Sequence, residues 1–166
     1  MQEEMFDVVN ADDEVLRVAN RRDVHDNAWL HRAAHVLVYD ESGRLLVQRR
    51  GFNKECSPGL WDTSAGGHVA SGEDYEAAAN RELEEELGIR STSPVKFLFK
   101  LPADEYTGQE FVAVFSASTN EIPVLQISEL AAARWITVDE LKTWITRDRS
   151  QFTTVFLKIC SEIGLI

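Results

Sequence analysis

Cysteine is scarce in this chain: Cys56 and Cys160 are the only two among 166 residues, and they lie far apart in sequence. Two such thiols cannot staple a small secreted scaffold, so they are expected to be free in a reducing cytosol rather than joined in a disulfide. Proline is also rare, with four residues, and no Pro/Gly/Ser-rich run, internal repeat or low-complexity tract marks a linker. No apolar run approaches the ~20 residues of a membrane span. The opening MQEEMFDVVNADDE is acidic and lacks the basic segment and apolar core of a signal peptide. These absences predict a cytoplasmic protein with no membrane partner. Positive charge is short as well: 17 Lys and Arg stand against 28 Asp and Glu, a net charge of −11. Nucleic-acid binders usually display a basic stripe, so a nucleic-acid polymer is not expected as a partner. A small anion is not excluded, because a few local cations can hold one.

With 44% apolar and 27% charged residues, the chain reads as one globular domain over 1–166, with 1–30 as an N-terminal extension packing on it. Ala33–Asp40 and Arg44–Arg50 read as strands joined by a hairpin at Glu41-Ser42-Gly43. Leu60–Ser64 reads as a short strand, and Val95–Leu101 with Glu110–Ala117 as a strand pair turning near Tyr106-Thr107-Gly108. Ala133–Val138 is a further strand, followed by a helix over DELKTWI. Near the end, Val155, Phe156, Ile159, Cys160 and Ile163 recur at helical spacing and are expected to face the core.

The most unusual stretch is GGHVASGEDYEAAANRELEEELGI, from Gly66 to Ile89. Ser71 and Asp74 resemble a capping box, and Gly88 reads as a C-terminal cap, so the spacing predicts a helix from about Glu73 to Gly88. At about 100° per residue, Tyr75, Ala78, Ala79, Leu83 and Leu87 form one apolar stripe. Glu82, Glu85 and Glu86 fall in that stripe or at its edge, while Glu84 points away from it. A merely solvated charge run would sit opposite the stripe. Carboxylates on the buried side need a compensating partner, and Arg81 projects away from Glu82 and Glu86 on this wheel. Glu82 and Glu86, one turn apart at ~6 Å, repel by roughly 3 kcal/mol at an effective dielectric of 20. A hard dication reverses that sign, and Mg²⁺ bound to carboxylate oxygens keeps open positions for substrate phosphates.

From Gly67 the residues follow the pattern G-x5-E-x7-R-E-U-x-E-E-x-G-U with U aliphatic, through Glu73 and Arg81-Glu82-Leu83-Glu84-Glu85-Glu86-Leu87-Gly88-Ile89. This resembles the Nudix box, with every defined position filled. The resemblance implies an α/β fold, the α/β/α sandwich with a mixed central sheet. It also implies a MutT-like pyrophosphatase: Mg²⁺- or Mn²⁺-dependent cleavage of a diphosphate linked to another moiety. By that resemblance Glu82 and Glu86 are the principal metal ligands, Glu85 holds a second metal or activates water, and Glu73 pairs with Arg81. Arg49 and Arg50, closing a hairpin strand, and the Gly67 backbone are candidates for holding phosphate. Phe52, Trp29, Trp61 and Tyr106 are candidates for covering the rest of the substrate, with Trp61 first expected in the core. Homodimers are common in the family, although nothing in this sequence demonstrates one.

The segment from Asn10 to His68 resembles the branch of that family that includes isopentenyl-diphosphate isomerases. In that branch two early histidines, the histidine of a Cys-Gly-His motif and two later glutamates bind metal. His25, His31 and His68 stand at the histidine positions and Glu110 at one of the glutamates. The other glutamate position is Gly108, and the catalytic cysteine position is Gly66. A glycine offers no group for moving a proton. The sequence therefore predicts a hydrolase of this branch acting on a nucleoside diphosphate derivative or similar compound, with Glu85 or Glu110 as proton acceptor. The alternatives are an isomerase-like enzyme and a catalytically silent nucleotide-binding module.

Overall fold

The computed structural model describes residues 3–90 and 94–166; residues 1 and 2 of the expected N-terminal extension lie outside them. The elements run β1 (Met5–Val9), β2 (Val15–Asn20), α1 (Arg21–Asp26), β3 (His31–Tyr39), β4 (Leu45–Arg50), β5 (Trp61–Asp62), β6 (Ala65–His68), α2 (Tyr75–Leu87), β7 (Lys96–Leu101), β8 (Glu110–Ser118), β9 (Leu130–Ile136), α3 (Val138–Arg147) and α4 (Thr154–Glu162). Seven strands form one mixed sheet along β5-β4-β3-β8-β7, with β6 added on β3 and β9 on β4. The central strand β3 reads HRAAHVLVY, and Ala33 to Val38 are buried on both faces as an interior strand must be. Side chains alternate across it. Ala33 and Leu37 join the core under α3 and α4, while Ala34, Val36 and Val38 join the core under α2. The sheet lies between the two helical layers, the sandwich expected.

Two pairings of β3 set the site. It runs parallel to β8 with His31 opposite Glu110, and antiparallel to β6 with Ala33 opposite His68, Ala34 opposite Gly67 and His35 opposite Gly66. The expected hairpin survives only as its turn. Asp40 Oδ1 accepts from the amides of Ser42 and Arg44, but Tyr39–Leu45 is the single registered pair between β3 and β4. The strands diverge because β8 and β6 take the hydrogen-bonding edges of β3.

Helix α2 starts at Tyr75, two residues later than the expected start at Glu73, because the cap is not Ser71. Asp74 is its N-cap and accepts from the Ala77 amide, while Ser71 Oγ donates to Asp7 in β1 instead. Gly88 closes the helix at φ 64°, its amide and that of Ile89 returning to Glu84 and Leu83. In α4, Phe156, Ile159 and Cys160 are buried as their spacing predicted.

The N-terminal extension carries structure the sequence did not announce. β1 and β2 form an antiparallel hairpin and α1 follows directly, Asn20 capping it. Phe6, Val8 and Val24 form a third small core with Ala19 and Trp29. Among the described residues no helix is long and apolar enough to cross a membrane.

Candidate functional site

Glu82 and Glu86 are 9% and 7% exposed, whereas Glu84 and Glu85 are open to solvent. Glu86 Oε2 accepts from the Gly66 amide at 3.1 Å and from Gln48 Nε2 at 3.3 Å. Glu82 lies under Gly67, where a Cβ would meet its Oε1 at 2.3 Å. Burial, and then the neighbouring Glu82, pushes the Glu86 carboxyl up to about 8. Burial also raises Glu82, against the pull of Arg81.

Arg81 corrects the helical wheel. Its guanidinium grips Glu73 with two hydrogen bonds of 3.0 Å each and reaches Glu82 at 2.6 Å, Glu85 at 3.2 Å and the His68 carbonyl at 2.9 Å. The wheel angle describes where Cβ leaves the helix, and a long side chain can turn back from that direction. The Glu73–Arg81 pairing that the family resemblance implied is present. Glu86 has no cation within salt-bridge distance among the described residues.

These carboxylates line a cleft of about 510 Å³ together with Gly66, Gly67, Arg21, Arg50, Lys54 and Arg81. Two buried carboxylates, one of them raised well above its ordinary range, beneath a glycine that leaves room for nothing larger, form the oxygen-donor set that a hard dication such as Mg²⁺ requires. The residues fit the metal. Cations for an anionic substrate stand on the walls, and Lys54 is held in ion pairing with Glu129. No local pattern points to Arg21 or Lys54, since only the fold carries α1 and the loop after β4 to the cleft.

Arg49, by contrast, does not line this cleft. Its Nε donates to the Gly59 carbonyl at 2.8 Å, with the guanidinium over the rings of Phe52 and Trp61. Alternation along β4 sends Arg49 and Arg50 to opposite faces. Trp61 packs edge-on against Trp144, as a core residue would, and Trp29 lies under Arg17.

Glu110 is grouped with histidines rather than with the box carboxylates. His25 from α1, His31 from β3 and His68 from β6 bring nitrogens within 4.8 Å of one another. Glu110 Oε1 lies 3.0 Å from His68 Nε2 and 3.4 Å from His31 Nε2. His31 Nδ1 is 2.8 Å from the Trp29 carbonyl, so it donates there and Nε2 is left as the free acceptor. The Nε2 atoms of all three rings are buried without a hydrogen-bond partner. Burial opposes ionisation of Glu110, but the adjacent His31 and His68 rings outweigh it and hold that carboxyl below the usual range. Three converging imidazoles and a carboxylate suit a borderline divalent cation. The two centres meet at β6, whose backbone passes between them.

A family model described as NUDIX domain matches residues 29–156. The chain belongs to the NUDIX family. It is 33% identical over 166 residues to an isopentenyl-diphosphate Delta-isomerase of Serratia proteamaculans, covering 98% of this chain and 92% of that protein. It is 38% identical over 136 residues to the uncharacterized Nudix hydrolase PA4841 of Pseudomonas aeruginosa, covering 80% and 78%. Among solved structures it resembles DR0079 from Deinococcus radiodurans, with a TM-score of 0.77 at 28% identity over 87% of this chain and 90% of that one. The chain is thus a NUDIX protein of the isopentenyl-diphosphate-isomerase-like branch that retains the complete hydrolase box.

Proposed function

We propose that this protein is a Mg²⁺-dependent hydrolase, with Mn²⁺ as substitute, that cleaves the diphosphate linkage of a nucleoside diphosphate derivative or a similar small diphosphate compound. The observation that carries this is the pair Glu82 and Glu86, both buried and aimed at the Gly66–Gly67 backbone on the floor of a cleft whose walls carry cations. Glu82 and Glu86, with Glu85 at the mouth, are the residues that would hold the metal. When bound, the ion supplies neutralisation of phosphate charge and a lowered pKa for a ligated water. Arg50 and Lys54 orient the phosphates. Water adds to one phosphorus, the bridging P–O bond breaks, and Glu85 accepts the proton. Arg81 serves as a positioning residue, spanning Glu73, Glu82 and Glu85. The hairpin and α1 belong to the same single domain and complete one wall, and the unpaired Cys56 and Cys160 agree with a reducing cytoplasm.

One observation favours the isomerase-like alternative: the histidine centre with Glu110, in a chain similar along most of its length to proteins named as isomerases. Gly66 weighs against it, since it brings no thiol to that centre. Phosphate release from a panel of diphosphate compounds, with and without Mg²⁺, tests the hydrolytic reading. Metal-dependent release from at least one compound is expected. Silence across nucleoside diphosphates, nucleotide sugars, dinucleotides and prenyl diphosphates would leave a binding module.

A further inference from the structure

Gln48 is a buried amide that core packing does not account for. It sits in β4 at 1% exposure, in register with Asp62 of β5 on one side and Ala133 of β9 on the other. Along β4, Leu45 and Val47 join the core under α3 and α4, and Leu46 joins the core under α2. Alternation places Gln48 with Leu46 on the α2 side, where the pattern calls for another apolar residue. Its Nε2 donates to Glu86 Oε2 at 3.3 Å. Its Oε1 is buried and has no partner among the described residues. An amide with one bond made and one acceptor unmet is less favourable at this depth than a methionine of similar length. Gln48 does not line the cleft either, so a substrate held there does not touch it.

What the amide does is hold one oxygen of Glu86. The Gly66 amide donates to that same Oε2 at 3.1 Å. Two strands therefore grip a single oxygen, β4 through a side chain and β6 through its backbone. Among the described residues nothing donates to Glu86 Oε1, which is the oxygen left for a cation. Two bonds to Oε2 restrain the last side-chain torsion of a glutamate, which is otherwise broad. Hydrogen bonds of this kind orient ligating carboxylates, and losing one weakens metal binding by about 10- to 100-fold. The donor type matters as well. A lysine here would neutralise Glu86, and an apolar side chain would leave Oε2 with the Gly66 bond alone. The neutral amide holds the oxygen and leaves the negative charge for the metal. An ionised carboxylate only accepts, so Nε2 is the end of the amide that faces it.

We infer that Gln48 is a positioning residue for the metal site: by holding Oε2 it presents Oε1 of Glu86 to the cleft and sets the affinity for Mg²⁺. The inference rests on the reading of Glu82 and Glu86 as the metal ligands of a hydrolase. The rival role is mechanical, with Gln48 tying β4 to α2. A tether governs the stability of the metal-free fold, whereas a positioning residue governs affinity.

The test titrates Mg²⁺ alone into the full chain by calorimetry, because a hard cation prefers carboxylate oxygens to the three imidazoles of the histidine centre. Gln48→Met keeps the length of the side chain and removes the donor. Its Kd for Mg²⁺ should be at least about tenfold weaker than that of wild type, while its melting temperature in chelator stays within about 4 °C. If Gln48→Met does not fold by circular dichroism, ¹⁵N NMR of the wild-type glutamine side chains takes its place. The Gln48 amide resonance should move on saturation with Mg²⁺, and one that stays in place counts equally against the proposal. A Kd within twofold of wild type in Gln48→Met overturns this inference alone, and a lower melting temperature at that unchanged affinity makes Gln48 the tether. A wild type that binds no Mg²⁺, or binding undiminished in Glu86→Gln, overturns the metal assignment of Glu86 and this inference with it.

Discussion

Glu82 Oε1 lies 2.3 Å from the point where a Cβ would stand on Gly67, so the carboxylate holds its place only because that residue is glycine. The requirement comes from crowding rather than backbone conformation, since Gly67 is absent from the positive-φ glycines. Gly67→Ala should therefore leave the strand intact and displace the carboxylate. Hydrolysis is expected to fall by about 10²-fold, the scale of one misplaced electrostatic group, with a melting temperature shift under ~4 °C. Unchanged turnover in this variant would show that Glu82 does not act from the position it holds here.

The helical glutamates supply their own control. Glu84 is exposed and pairs with Arg90, Glu86 is buried against Gly66, and each substitution by glutamine removes one negative charge. Glu82→Gln and Glu86→Gln should each lower turnover at least ~10²-fold, and Glu84→Gln should stay within about threefold. Equal damage from Glu84→Gln would refute the division of faces.

Glu86 also carries a pH signature. Its carboxyl stands at about 8 rather than its ordinary 4.5, mainly through burial, so between those values the metal-free folded state holds a proton that the unfolded chain has released. Stability from this group is fully present below the ordinary value and is lost as pH rises through about 8. Thermal melts in chelator should therefore show a decline from about pH 5 to pH 8 that Glu86→Gln flattens. Mg²⁺ at pH 8 should raise the melting temperature of the wild type by linkage, and most of that rise should vanish in Glu86→Gln. Calorimetry with no Mg²⁺ or Mn²⁺ heat for wild type would sink the metal assignment.

Why these residues were readable in sequence, and others were not, follows from the range of the signal. Glu82, Glu85 and Glu86 sit on one helix at fixed spacing, so periodicity alone separates their faces. The strands β7 and β8 and the helices α3 and α4 were equally legible, because alternation and helical spacing are local. Glu110 joins His31 only through the parallel register of β3 and β8, which no local pattern encodes. The same limit hid Arg21, Lys54 and the contact of His35 with Gly66. Arg49 was misread because two adjacent arginines on a strand face opposite ways, and the sequence does not say which one faces the cleft.

The hairpin that completes the cleft is tied down at its tip. Asp13, at φ 63°, accepts hydrogen bonds from Arg32 at 2.6 Å, Tyr75 at 2.8 Å and Lys100 at 2.5 Å. Burial opposes its charge, but these bonds outweigh burial and hold its carboxyl below the usual range. Asp13→Ala leaves three donors without their shared acceptor and should cost about 2–3 kcal/mol, a melting shift of roughly 5–10 °C. Amide exchange should quicken across β1 and β2 before the rest of the chain. Turnover should fall as well, because Arg21 of α1 stands on the cleft wall behind the hairpin. Unaltered exchange in β1 and β2 would mean that the small core of Phe6, Val8 and Val24 holds the hairpin without the latch.

The isomerase alternative meets a steric obstacle as well as a missing group. Moving a double bond needs an acid and a base on opposite sides of the allylic carbons, and Gly66 supplies neither. Nor can the thiol simply be restored: a Cβ at Gly66 would come within 2.7 Å of His35 Nδ1 and 3.0 Å of its Cε1, and His35 is fixed by Thr63. Gly108 faces the histidine centre, since a Cβ there would have Glu110 Oε1 at 4.0 Å, but its φ of +72° disfavours a glutamate. Gly66→Cys is therefore expected to lose stability and still show no isomerisation, and the wild type should show none even when loaded with Mn²⁺ or Zn²⁺ at the histidines. Incubating isopentenyl diphosphate in deuterated solvent and following its carbon-bound protons by NMR measures this directly. Enzyme-dependent deuterium uptake by the wild type would establish an acid–base pair other than a thiol, with Glu110 and His35 the first groups to replace, and would put the isomerase reading ahead of the hydrolase.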